Sequence, residues 1–140
     1  AATAASAEFR GIEWGTARAE VVETVGDDYF KETESGLFYN REILDSETMV
    51  LYEFENGLLR SGTISFEELP QDRIARALRE RYGQPDEMRS DGTSYWLDRD
   101  GTHVTGSPIP SIDSYMVQYL DAEYQRRARE ERAERDAGEL

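Results

Sequence analysis

Apolar and polar residues alternate with two different periods along this chain, and the changes of period mark out its elements. Ala17, Val21, Val22 and Val25 recur at helical spacing behind Thr16, a residue suited to capping a helix, and Gly26 stops the run. Residues 37–43 then read as a strand. Residues 48–55 and 58–66 read as a hairpin closed by Asn56-Gly57, a pair that accepts the positive φ angles of a tight turn. A two-residue turn there places Glu53 opposite Arg60, with room for a bulge. Pro70 opens a second helix with Ile74, Leu78 and Tyr82 on one stripe, and Gly83-Gln84-Pro85 ends it. Residues 93–98 and 102–105 make a second hairpin around Asp100-Gly101. Pro108 and Pro110 mark residues 106–110 as a loop, because proline cannot complete a central ladder. Tyr115, Val117 and Tyr119 alternate, so residues 114–120 read as a final strand.

The pattern of helix, glycine and strands with an Asn-Gly or Asp-Gly turn therefore occurs twice. Gly26 matches Gly83, and Asn56-Gly57 is set against Asp100-Gly101, although the spacing is shorter in the second copy. The predicted fold class is α/β in the α+β sense, two helix-plus-antiparallel-sheet halves in tandem. Residues 1–8 read as a flexible leader. Residues 9–120 form one domain of two similar halves, 9–67 and 68–120. Residues 121–140 form a charged helix or tail, in which Glu123 with Arg127 and Glu131 with Arg135 are spaced for ion pairs.

Composition narrows the functions. Of 140 residues, 30 are acidic and 16 basic, a net charge of −14, with most of the excess in residues 1–67. Such a field repels phosphate backbones, which argues against nucleic acid and leaves a cationic protein as a possible partner. No apolar run is long enough to span a bilayer. There is no cysteine, so disulfides, thiolate metal sites and cysteine nucleophiles are excluded from this chain. The opening run Ala1-Ala2-Thr3-Ala4-Ala5-Ser6-Ala7 has the small residues that flank signal-peptidase sites, which points to export.

Gly15-Thr16-Ala17-Arg18-Ala19-Glu20-Val21 with Gly26, and Tyr52-Glu53-Phe54-Glu55-Asn56-Gly57-Leu58, resemble the helix and hairpin motifs of the SmpA/OmlA (BamE-like) periplasmic proteins. The doubled unit is similar to the β-lactamase inhibitor protein (BLIP) fold. The Gly-x-Pro that follows the helix in that group appears here as Gly83-Gln84-Pro85 and not after Val25, and the lipidation cysteine has no counterpart. The resemblance implies a periplasmic or secreted, non-enzymatic protein that contacts another protein through a sheet face or helices.

Residues with catalytic potential are few. His103 is the only histidine. A Ser-His-Asp arrangement would draw on Ser94, Ser107 or Ser111, none of which lies in Gly-x-Ser-x-Gly. His103 is expected to face Asp98 across the second hairpin. Asp98-Arg99-Asp100-Gly101-Thr102 has the start of a calcium loop but not its closing bidentate glutamate; Asp86, Glu87 and Asp91 could add oxygens. No phosphate-cradling glycine motif occurs, and no cofactor or metal is predicted.

The remaining signal is aromatic. Tyr95-Trp96 and Phe38-Tyr39 each place neighbouring rings on opposite faces of a strand. Tyr95, Trp96, Tyr115 and Tyr119 are the candidate partner-binding residues of a monomeric module. Two other readings stand beside this one: a small hydrolase using a carboxylate pair, and an acidic cytosolic protein of a salt-loving organism.

Overall fold

A computed structural model describes residues 7–109 and 114–140. Chain order is β1 (Glu8–Phe9), β2 (Ile12–Glu13), α1 (Arg18–Val25), β3 (Lys31–Glu32), β4 (Gly36–Ile43), β5 (Ser46–Glu55), β6 (Leu58–Phe66), α2 (Gln71–Tyr82), β7 (Glu87–Met88), β8 (Ser94–Arg99), β9 (Thr102–Ile109), β10 (Ser114–Asp121) and α3 (Ala122–Glu139). The fold class is α+β, with antiparallel sheets and a C-terminal helix.

Strands β3 to β10 form one eight-stranded sheet in the order β3-β4-β5-β6-β10-β9-β8-β7. The first four strands come from one half of the chain and the last four from the other. The seam is the antiparallel β6–β10 pair, with Ile64 opposite Val117 and Thr63 opposite Gln118. The strand order is the same read outward from either side of this seam, so a pseudo-two-fold axis passes between β6 and β10. Each half has a helix, α1 or α2, ahead of its four strands.

One sheet face is covered. Tyr39, Val50, Ile64 and Val117 form a row across it, and Leu37, Tyr52, Val104 and Trp96 belong to a second. Val21 of α1 and Ile74 and Leu78 of α2 pack into the same core. Phe9, from the small β1–β2 hairpin, lies over Gly62, where a Cβ would overlap the Phe9 ring. The sheet interior there needs glycine for a reason of packing.

Several local expectations change in the structure. Ala7 and Glu8 are not leader: Ala7 O accepts from Trp14 N at 3.1 Å and Glu8 starts β1. Thr16 does not cap α1; its hydroxyl donates to Glu13 O at 2.7 Å, and the cap position falls to Ala17. Arg60 is the extra residue of a bulge, so Glu53 faces Ser61 and Arg60 turns to Asp121 at 2.9 Å. Residues 106–109 are strand, not loop. Pro108 pairs with Tyr115 two residues past Gly106, which faces Ser94 at the start of β8, so its missing N–H faces no neighbour strand among the described residues. Pro110 and Ser111 lie outside the described residues.

The repeat is matched differently as well. Within the sheet, β4–β5 corresponds to β8–β9, so the counterpart of the Asp100-Gly101 turn is Leu44-Asp45 and not Asn56-Gly57. Leu44 and Asp45 both adopt positive φ, 54° and 61°, without the glycine that normally signals such a turn.

Candidate functional site

The face of the sheet opposite the helices carries a row of residues that runs through all eight strands. In register order it is Lys31, Phe38, Leu51, Thr63, Gln118, Thr105, Tyr95 and Glu87. Strand alternation puts these side chains opposite the core rows. Phe38 and Tyr95 take equivalent places on either side of the pseudo-axis, each half-buried. Lys31 Nζ sits 5.2 Å from the centre of the Phe38 ring, and the Arg89 guanidinium sits 5.2 Å from that of Tyr95. Both edge aromatics are thus held under a cation, an attraction between positive charge and the negative face of the ring.

Between these anchors the face combines Leu51 with hydroxyls, an amide and sulfur, Thr63 being buried among its neighbours. Ser61, Thr63, Ser65, Gln118 and Thr105 lie on the central strands, with Met49 and Met116 beside Ser65. Phe30, 53% exposed, packs against Phe38 with ring centres 6.2 Å apart, and Leu97 is 49% exposed near the other edge. The acids of the face lie toward its margins, at Glu42, Glu47, Glu53 and Glu87. The result is a mixed polar and apolar surface about eight strands wide, roughly 34 Å at the usual interstrand spacing.

The four aromatic candidates divide between the two faces. Tyr95 lies on the uncovered face. Trp96, next to it, points the other way and is 1% exposed, its indole N–H donating to Gly83 O at 2.9 Å. Tyr115 is 3% exposed on the covered face, and Tyr119 packs against Phe9 on that face with ring centres 5.1 Å apart. Trp96 and Tyr115 are core side chains that a docking surface cannot reach. Burial pushes the hydroxyls of both Tyr115 and Tyr119 above their ordinary range. The residue not put forward as a candidate is Phe38. Its signal was its pairing with Tyr39, which parallels Tyr95-Trp96 and follows the same alternation.

The candidates for chemistry are dispersed. His103 Nδ1 accepts from the Asp98 backbone N–H at 2.9 Å, while the Asp98 carboxylate accepts from Gly101 N at 3.2 Å. His103 therefore meets the backbone of Asp98 and not its carboxylate. Ser94 lies on the covered face, and Ser107 is four residues along β9 from His103, about 13 Å away by strand rise. Asp86 is held by Arg99 at 2.8 Å, and that hydrogen-bonded pairing lowers its pKa. Asp91 is turned to Thr93 N at 2.9 Å. No group of three or more His, Cys, Asp or Glu side chains is gathered among the described residues. The one buried carboxylate among them, Asp121, is paired to Arg60 and accepts from Tyr124 N at 3.2 Å, at the start of α3.

No described helix is long and apolar enough to cross a membrane. Comparison of the chain with protein-family models, with curated proteins and with solved structures gave no match.

Proposed function

We propose that this chain is an exported, non-enzymatic interaction module that binds a protein partner on the uncovered face of its sheet. The observation that carries the reading is the eight-strand row with cation-capped Phe38 and Tyr95 at equivalent places on either side of the seam. Aromatic side chains supply large contact area at low entropic cost and are the usual anchors of interfaces. The hydroxyl- and amide-bearing centre can satisfy polar groups of a partner without burying charge, and the marginal acids suit the rim of an interface.

Two further features support the reading. The motifs at Gly15–Gly26 and Tyr52–Leu58 resemble those of SmpA/OmlA (BamE-like) and BLIP proteins, which points to a periplasmic or secreted, partner-binding role. The net charge of −14 favours a cationic partner and fast association with it.

The test uses the whole chain as immobilised bait against the envelope and secreted fractions of its source, followed by mass spectrometry. Gln118→Arg, an exposed position at the centre of the row, serves as the second bait once its melt shows that it folds. A partner retained by the wild-type chain and lost with Gln118→Arg supports the sheet face. A partner retained equally by both baits removes it.

A further inference from the structure

The covered face holds a second feature, independent of the sheet surface just described. A groove of about 510 Å³ lies between α2 and the β1–β2 hairpin, above the seam of the sheet. Its floor is Ile64, Phe66 and Val117, all buried. Ile74 and Leu78 of α2 form one wall. The volume falls in the range of small-molecule sites, which are typically about 300–1,000 Å³ and mostly apolar with a few placed polar groups.

The groove has two unlike ends. Along α2 it runs from Ile74 to Tyr82, eight residues or about 12 Å. At the Ile74 end the lining is Phe66, Ile43 and Leu44. At the Tyr82 end, Arg81 Nε donates to Tyr82 Oη at 3.2 Å, and Tyr119 shares the lining with them. Arg10 lines the groove too, close enough to Tyr119 to act on it electrostatically. A polar recess of about 80 Å³ shares Glu8, Arg81, Tyr82 and Tyr119 with this end.

Charge makes the arrangement informative. The chain has nearly twice as many acids as bases, yet two of its bases stand at one end of the groove, and among the described residues Glu8 is the only acid in its lining. Neither Arg10 nor Arg81 forms a salt bridge among the described residues. A planar guanidinium beside an apolar trough matches a carboxylate on a hydrocarbon chain, because two parallel N–H groups fit the two carboxylate oxygens.

We propose that this groove binds a medium-chain fatty carboxylate, its carboxylate held by Arg81 and Arg10 and its chain laid over Ile64 and Val117 toward Phe66. The 12 Å run suits an extended chain of that length better than a long-chain lipid.

The experiment titrates the full chain with decanoate and, separately, with decanol, both below micelle-forming concentrations, by calorimetry. Wild-type protein is expected to bind one decanoate saturably and decanol at least about tenfold more weakly, since a charge-assisted hydrogen bond contributes about 1.5 kcal/mol or more. Arg81→Gln, an exposed change at the groove mouth, is expected to weaken decanoate by about tenfold and leave decanol unchanged. Ala77→Trp, which fills the trough from α2, is expected to abolish both. No saturable decanoate binding overturns the proposal. So does equal binding of decanoate and decanol, or decanoate binding unaltered by Arg81→Gln. If Ala77→Trp melts abnormally, the Arg81→Gln comparison still decides.

Discussion

Tyr39 and Trp96 make the same bond in the two halves of the molecule. Tyr39 Oη donates to Gly26 O at 2.8 Å, and Trp96 Nε1 donates to Gly83 O at 2.9 Å. The same number of residues separates Gly26 from Gly83 as separates Tyr39 from Trp96. Two arginines repeat the scheme one carbonyl earlier: Arg41 reaches Val25 O at 3.2 Å and Arg99 reaches Tyr82 O at 3.4 Å. Each arginine also binds an aspartate just past its helix, Asp28 or Asp86. In both halves, then, the second strand ties down the open carbonyls of the helix end, groups that have no partner within the helix itself.

The twin bonds are expected to carry comparable weight. Tyr39→Phe keeps the ring and removes the donor, and is expected to cost about 1 kcal/mol. Trp96→Phe removes the donor and leaves a void in the core, and is expected to cost about 2–3 kcal/mol. Urea unfolding of the two variants measures both. Because one sheet joins the halves, each variant should still unfold in a single transition.

The aspartates fix the acid limb of stability. Hydrogen bonding from Arg41 lowers the pKa of Asp28, and that from Arg99 lowers the pKa of Asp86, from an ordinary value of 3.8. A carboxyl whose folded pKa lies below its unfolded one contributes stability that is present above the unfolded value and is lost as pH falls through the folded one. Stability is therefore expected to decline below about pH 4, and less steeply in Asp28→Asn and Asp86→Asn. Thermal melts between neutral and strongly acidic pH give the slopes.

The alkaline limb belongs to the tyrosines. Burial raises the hydroxyl pKa of Tyr39, Tyr52, Tyr115 and Tyr119 above the ordinary 10.0. A raised folded pKa gives stability that is present below the unfolded value and is lost as pH climbs through the folded one. In a spectrophotometric titration these four of the eight tyrosines are expected to ionise late, together with loss of structure, and Tyr124, whose pKa the neighbouring Glu55 raises, late but without that loss.

The first turn of α3 is fixed to the body and the rest is not. Arg60 pairs with Asp121 at 2.9 Å and lies 4.5 Å from the centre of the Tyr124 ring. From residue 129 onward every residue is exposed. Deleting residues 129–140 is expected to lower helical circular dichroism and leave core stability within about 1 kcal/mol. Asp121→Ala strands the half-buried Arg60 and removes the helix cap, and is expected to cost about 2–4 kcal/mol.

Much of this architecture can be read in the sequence, for identifiable reasons. Gly26, Gly83 and Asn56-Gly57 are strong punctuation, and they stand where helices and a hairpin end. The tandem halves follow from them, but their internal matching does not, because the Leu44-Asp45 turn uses residues that carry no turn signal. The two-residue strands β3 and β7 are too short to show alternation. For the site, adjacent aromatics reveal that one ring of each pair faces away from the other. Which ring meets the core depends on where α1 and α2 pack, and that is a tertiary fact. Hence the sequence marks Tyr95 only together with its buried neighbour Trp96, and Phe38 only as half of a similar pair.

The most direct test of the sheet-face account is the affinity of the captured partner for Phe38→Ala, Tyr95→Ala and the double variant, each confirmed to fold by its melt and measured by calorimetry. The account predicts that each single change weakens binding by about 2 kcal/mol, roughly thirtyfold, and that the double change weakens it further. Unchanged affinity in the folded double variant would contradict it.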